Sequence, residues 1–327
     1  MARRTPSEAS LPKRPHRVAV VAFDGVVLGD LATPCEVLAC VRTSDGSPAY
    51  ELRVCGAGKS VGTKHVRLSV PWPLSSTSWA DTVIVPGIDH PDRHVPDTIK
   101  AAIRRVAARG ARIASICSGA LVLADAGVLD GMRATTHWML AGELARRFPN
   151  VRVDADVLYI DNGQILTSAG AAAGFDLCLH LVRRDFGADV AASAARTVVM
   201  PLERAGGQAQ FISYEPPNET GTPIGRVLVW IEQHLQDDLN LSALSRKAAM
   251  STRTFCRHFR EQVGSTPAAW IARARVARAQ RLLEMTELSV EDIASRVGFQ
   301  SSTVLREHFS RALATAPRAY RYAFART

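Results

Sequence analysis

Two patterns of apolar and polar positions divide this chain. Up to about residue 200, short runs that are apolar almost throughout alternate with amphipathic stretches; beyond about 222 only helical periodicity is found. HRVAVVAF (16–23), YELRVCGAG (50–58), ADTVIVPG (80–87) and ARIASI (111–116) carry the signal of buried strands. A helix is expected to open near Leu31, and TIKAAIRRVAARG (98–110) has an amphipathic helical period with Gly110 just past its end. Strands alternating with helices predict a doubly wound α/β domain: a mostly parallel sheet covered on both faces, with ligands taken at the strands' carboxyl ends. ERAGGQAQFISYEPPNETGTP (203–223) has no period and is rich in Gly, Pro and polar residues, as linkers are. The expected organisation is a disordered, basic tail over 1–15, the α/β domain over 16–204, a linker over 205–222 and an all-α domain over 223–327.

In the second half, NLSALSRKAAMSTRTFCRHFREQVG (240–264) puts Leu241, Leu244 and Ala248 on one helical face, followed by a turn. Ser251 is placed to cap a second helix whose inward residues are Phe255, Phe259 and Val263. Helix, tight turn and second amphipathic helix make a helix-turn-helix unit. On its second helix Arg253 and Arg257 lie one turn apart and off the Phe255/Phe259 face, so they project outward together, with Thr252 beside them. Arginine forks suit guanine O6 and N7 or phosphate oxygens. The plan recurs in ELSVEDIASRVGFQSSTVLREHFSRALATAPRAY (287–320). Val290, Ile293, Ala294 and Val297 point inward, Gly298-Phe299 forms the turn, and Leu305 and Phe309 point inward from a second helix. Ser302, Thr303 and Arg306 are its outward candidates. Between the units PAAWIARARVARAQRLLEM (267–285) reads as one continuous helix. Its length of ~28 Å approaches the ~34 Å between successive major-groove faces of a duplex.

Charge sharpens this reading. From Ile224 onward there are sixteen Lys and Arg against nine Asp and Glu, which is seven of the whole chain's net +9. A basic domain built this way points to double-stranded DNA as a partner. No apolar run approaches the ~18–20 residues of a membrane span, the N-terminus lacks a signal peptide's apolar core, and six scattered cysteines suggest a reducing compartment. No membrane partner and a cytoplasmic location are therefore expected. HPDRH (90–94) has metal-like spacing, but Pro91 argues against the regular helix that would align its imidazoles, so no metal site and no cofactor are expected.

The candidate chemistry lies in RIASICSGALVLADAGVLDG (112–131). Cys117 ends a strand and Gly119 stands two positions on, which is the geometry of a nucleophile elbow; a helix N-terminus there favours thiolate. A small buried residue explains the same cysteine, and His137 in ATTHW reads equally as a helix-start imidazole making a structural hydrogen bond. Asp30 and Gly87 each follow a strand or open a helix, and so belong to the same rim of the sheet.

Both halves resemble known families. Residues from about Ile224 to Ala323 are similar to the AraC/XylS-type DNA-binding domain, through LSALSRKAAMSTRTFCRHFREQVGSTPAAWI and VEDIASRVGFQSSTVLREHFSRALATAPRAYR. That resemblance assigns most base reading to Arg253 and Arg257; in the second unit Thr303-Val304-Leu305 stands where the family often has an aromatic. From about Arg17 to Met200 the chain resembles the ThiJ/PfpI branch of the glutamine-amidotransferase-like superfamily, whose fold is flavodoxin-like. VIVPG, ASICSGALVLADAGVLDG, TTHW and TSAGAAAGFDLCLHLV carry this match. It implies an elbow at Cys117, a nearby imidazole at His137, an acid close to the thiol at Asp30, and an oxyanion-hole segment at Gly87 and Ile88. Two departures stand out: no His-x-Glu exists in the chain to complete a triad, and Ser118 stands where peptidase-like relatives have His. A thiol without an oriented base is a poor acyl-transfer catalyst. Asp30, Gly87, Ile88, Cys117, Ser118 and His137 are accordingly expected to line a ligand pocket rather than a catalytic site.

The combination resembles the amidotransferase-like subgroup of AraC regulators, most closely the AdpA type. It implies a non-enzymatic transcription regulator that senses a small-molecule effector, forms a homodimer and works with RNA polymerase. GFDLCLHLVRRDFGADVAASAARTVVM (174–200) is the candidate dimer surface, and packing within the domain explains those residues as well. A thiol-dependent hydrolase or amidase, or a cysteine redox sensor, fused to a DNA-binding domain is the alternative.

Overall fold

In a computed structural model, residues 14–200 and 221–324 are described, apart from 264 and 314. Most of the expected tail and linker lies outside the described residues. The chain divides into two compact units, Met1–Gly207 and Gln208–Thr327.

The first unit runs β1 (His16–Ala22), α1 (Leu28–Ala39), β2 (Tyr50–Gly56), β3 (Ser60–Gly62), β4 (Arg67–Ser69), β5 (Trp72–Pro73), β6 (Thr82–Val85), α2 (Asp97–Ala108) and β7 (Arg112–Ile116). It continues with α3 (Gly119–Asp125), β8 (Arg133–Ala134), α4 (Trp138–Arg147), β9 (Arg152–Val153), β10 (Tyr159–Asp161), β11 (Ile165–Ser168), α5 (Ala172–Phe186) and α6 (Ala188–Thr197). A seven-stranded sheet among the described residues has the order β10-β11-β7-β6-β1-β2-β5. Every pairing is parallel except that of β10, an antiparallel edge strand. The central strands β6 and β7 are buried at nearly every position because helices cover both of their faces, so strict apolar–polar alternation has no role there. α1 opens at Leu28 rather than near Leu31, where the Val27 amide donates to the Gly87 carbonyl and fixes the helix start beside β6. Leu177, Cys178, Leu181 and Val182 of α5 are buried in this unit's own core.

At the amino ends of the strands a polar network is buried. Arg112 donates from Nη1 and Nη2 to the two carboxylate oxygens of Asp185 at 2.8 and 2.6 Å, and from Nε to the Thr82 hydroxyl at 2.8 Å. Tyr50 donates its hydroxyl to Asp185 at 2.9 Å, and His16 Nε2 lies 2.9 Å from Thr82 Oγ1 and 3.1 Å from Arg112 Nη2. Burial, foremost, holds the His16 pKa below its usual 6.5. A group whose pKa is lowered on folding contributes stability that is complete above its unfolded value and is lost as pH falls through it. Denaturant unfolding of the wild type is therefore expected to show falling stability as pH drops from about 6.5 towards 5, and a smaller fall in His16→Asn. Equal slopes in the two proteins would show that other groups carry the acid sensitivity.

The second unit is helical among its described residues: α7 (Pro223–Gln233), α8 (Leu241–Lys247), α9 (Thr252–Val263), α10 (Pro267–Met285), α11 (Val290–Arg296), α12 (Ser302–Leu313) and α13 (Pro317–Phe324). Thr222, Asn240, Ser251, Thr266 and Ser289 accept amide hydrogen bonds as N-caps, which is why these helices begin where they do. One expectation fails: Leu241, at the first position of α8, is 40% exposed rather than inward. Leu241 is the first residue of α8, a turn ahead of Leu244, and lies beyond the end of the core that Leu244 and Ala248 enter. Two separate apolar cores form, one around Phe255, Phe259 and Trp270, the other around Ile293, Leu305 and Phe309.

Candidate functional site

The elbow is real and strained. Cys117 has φ 57°, a left-handed conformation that costs a non-glycine residue energy unless its surroundings hold it. They do so closely. Gly170, itself at φ 78°, approaches so near that a Cβ there would lie 2.2 Å from the Cys117 Cβ. A Cβ on Gly119 would lie 2.3 Å from the Val85 carbonyl, and the Cys117 amide donates to the Ser168 carbonyl at 3.0 Å. The Thr136 hydroxyl donates to the Cys117 carbonyl at 2.9 Å.

Asp30, only 4% exposed, lies at the same place: a Cβ on Gly87 would come within 2.4 Å of its Oδ2 and 3.2 Å of the Cys117 Cβ. Burial, foremost, raises the Asp30 pKa, against hydrogen bonds from the Ala171 amide, the Cys117 thiol and the Gly87 amide. Ala171 is held at φ 48°. Asp30 Oδ2 has no hydrogen-bond partner among the described residues. Burial and then the Asp30 charge push the thiol up to about 12, although the Ser118 amide works in the opposite direction. This overturns the expectation of a thiolate. α3 has only seven residues, and the field at its start is outweighed by desolvation and a neighbouring acid.

The remaining expected members are drawn into structural bonds. Ser118 Oγ accepts from the Ile88 amide and donates to the Ile88 carbonyl, both at 2.8 Å. The Ile88 N–H expected at an oxyanion hole is thus already engaged. His137 is the N-cap of α4, its Nδ1 accepting from the Met139 amide at 3.4 Å. Burial lowers its pKa, and among the described residues no hydrogen bond joins it to Cys117. Asp30, Gly87, Ser118 and Cys117 are therefore in direct contact, whereas His137 makes no hydrogen bond to the thiol. Sequence reasoning gave no role to Thr136 and Ala171, neighbours of the elbow, although both lie in the segments TTHW and TSAGAAAGFDLCLHLV that carry the family resemblance. His90 and His94 are exposed in a loop, and no group of three potential metal ligands occurs among the described residues.

In the second unit the outward residues of α9 form a basic face. Thr252, Arg253, Arg257 and Arg260 are exposed while Phe255 and Phe259 are fully buried. Arg253 has no ion-pair partner among the described residues, and Arg257 only approaches Glu261, at 3.9 Å. α12 differs. Thr303 is exposed, but Arg306 donates to Glu291 of α11 at 2.9 Å and to the Ser302 hydroxyl at 3.1 Å. Across α8 and α9 the cations Arg246, Lys247, Arg253, Arg257 and Arg260 face one acid, Glu261. Across α11 and α12 the cations Arg296, Arg306 and Arg311 are balanced by Glu291, Asp292 and Glu307. Of the two helix-turn-helix units, the one made by α8 and α9 is electrostatically suited to a polyanion.

Comparison with known proteins agrees with this geometry. The DJ-1/PfpI family matches residues 16–184. The chain belongs to the DJ-1/PfpI family. Behind that DJ-1/PfpI domain, a helix-turn-helix domain matches residues 244–323, and the architecture is that of AraC-type proteins carrying a DJ-1/PfpI domain. The HTH-type transcriptional regulator GbdR of Pseudomonas aeruginosa is 25% identical over 91% of this chain and 81% of its own length. A crystal structure of an AraC family transcriptional regulator from Pseudomonas putida covers 56% of this chain and all of its own, at 20% identity and TM-score 0.50; it shows the fold of the DJ-1/PfpI domain. The crystallised DNA-binding domain of AdpA, in complex with a target DNA, is 44% identical over 32% of this chain and 93% of its own, at TM-score 0.31. No helix among the described residues is long and apolar enough to cross a membrane.

Proposed function

We propose that the chain is a sequence-specific regulator of transcription that binds double-stranded DNA through its helical domain. Its DJ-1/PfpI domain takes a small-molecule effector and mediates a homodimer. The observation that carries this reading is the α9 surface: two exposed arginines one turn apart, Arg257 only loosely paired with Glu261, beside a hydroxyl, on a helix anchored from behind by two buried phenylalanines. α10, nineteen residues long, carries a second unit at ~28 Å, so that Ser302, Thr303 and Arg306 address the next major groove. Relatives named as HTH-type transcriptional regulators along most of their length support the same function. Recruitment of RNA polymerase, in the cytoplasm, belongs to that role. Nuclease footprinting on a duplex selected from random sequence is expected to show two successive major grooves protected per subunit, on one face. Residues 1–222 alone should leave the duplex unprotected. Equal protection of selected and scrambled duplexes would sink the proposal.

The elbow works here as the floor of an effector pocket. A neutral thiol, an Ile88 amide already bonded and an imidazole turned to helix capping argue against acyl transfer. The strained backbone at Cys117 nonetheless keeps a hydrolase reading worth testing. Steady-state turnover of amide, ester and aldehyde substrates is expected to be absent, with Cys117→Ala and Cys117→Ser leaving DNA affinity unchanged. Turnover by the wild type that vanishes in Cys117→Ala would make the domain an enzyme.

A further inference from the structure

The two helix-turn-helix units have separate cores, and α10 contributes to both. Trp270, Ile271 and Ala274 belong to the first core, Val276, Ala279 and Leu283 to the second. Arg275 stands between these two sets. Its Nε donates to the Leu235 carbonyl at 3.0 Å and its Nη2 to the Asp237 carbonyl at 2.9 Å, both in the segment that follows α7 of the first unit. The guanidinium carbon lies 5.9 Å from the ring of Phe299, in the turn of the second unit, and that ring stacks on His308 of α12 at 5.2 Å. A continuous path thus runs from the first unit, through one guanidinium, to the second reader.

Gly298 supplies an independent sign that the units are docked here. It has φ 87°, and its counterpart in the first unit's turn is Ala249, at φ 54°. Both turns thus take a left-handed step, which strains any side chain, and Ala249 shows that the first turn bears that strain. What differs is the surroundings: Ala249 is exposed, whereas a Cβ on Gly298 would lie 2.0 Å from the Leu235 carbonyl and 2.8 Å from Arg275 Nη2. Glycine at 298 permits the close approach of one unit to the other. Arg275, Gly298 and Phe299 also face an open cleft of about 450 Å³ between the two helix-turn-helix units, lined further by Gln236, Asp238 and Glu291. Only an arginine fork reaches two carbonyls and still offers a planar face to a ring; lysine presents a point charge.

We propose that Arg275 is a positioning residue that sets the separation and rotation of the two readers, and so makes the protein discriminate DNA sites by the spacing between their two groove contacts. The proposal rests on the DNA-binding reading above. One inserted base pair moves the second groove by about 3.4 Å and about 35°, which a docked pair of units cannot follow and a pair joined by α10 alone can follow more readily.

The test uses the full chain and three duplexes: a selected site, the same site with one base pair inserted between the two protected grooves, and a scrambled sequence. Wild type is expected to lose about tenfold or more on the insertion. Arg275→Met should bind the selected site about tenfold more weakly, lose less than about threefold further on the insertion, and bind the scrambled duplex as wild type does. Arg253→Ala serves as the contrast: weaker on the selected site, with the spacing penalty kept. Phe299→Leu, which breaks the path at its other end, should reproduce the loss of spacing discrimination and stands in if Arg275→Met does not fold. A wild-type spacing penalty retained in Arg275→Met, or in Phe299→Leu should that stand in, overturns the proposal alone. Failure of the wild type to prefer the selected site over the scrambled one overturns the DNA-binding reading, and the proposal with it.

Discussion

Replacing Arg253 and Arg257 together by alanine is expected to remove most of the chain's ability to tell one duplex from another. A bidentate arginine–guanine contact is worth about 1–3 kcal/mol of discrimination, so the pair should cost roughly 2–6 kcal/mol of specific binding. The single variants should each relax preference at one base position. Both side chains are exposed and neither contributes to the core, which rests on Phe255 and Phe259, so the fold should survive the change. Titration of selected and scrambled duplexes over a range of salt separates two cases. A base-reading arginine changes the ratio between duplexes, whereas one that touches phosphate weakens both alike and shallows the salt slope. Arg306→Ala should have the smaller effect, because its guanidinium is already engaged by Glu291 and Ser302. If the double variant kept its preference for the selected duplex, α9 would not be the principal reader.

The second large effect is on stability. Asp185→Leu leaves the Arg112 guanidinium without its carboxylate in a place where the two side chains are only 11% and 12% exposed. Removing one partner of a buried ion pair costs about 3–5 kcal/mol, and Tyr50 loses its acceptor as well. Denaturant unfolding of the full chain should show the transition of the DJ-1/PfpI domain moved to much lower denaturant, with the helical domain's transition in place. Arg112→Met in the same chain should recover part of the loss, because an apolar pair needs no desolvation of charge. Recovery stays partial, since Thr82 also loses its donor from Arg112. A loss under about 1 kcal/mol, the range of an exposed pair, would show that water screens this network.

The sequence by itself determined the elements and their order. β6 and β7, the elbow between β7 and α3, the nineteen residues of α10 and the twin inward sets Phe255/Phe259 and Leu305/Phe309 all stand where periodicity places them. These features depend on neighbours one to four positions apart, and that is the range over which a period is written in a sequence. Only the tertiary structure decided what the polar groups do. Arg112 meets Asp185 across 73 positions, Ser118 takes up the Ile88 amide across 30, Arg306 is drawn to Glu291 across 15, and Arg275 reaches Leu235 across 40. No period marks such pairs, because each exists only once two elements have packed together and water has left between them. The elbow shows the difference most sharply. Its backbone turn is legible in Cys-Ser-Gly, but the protonation of Cys117 is set by burial and by Asp30, which the fold brings in from 87 positions away.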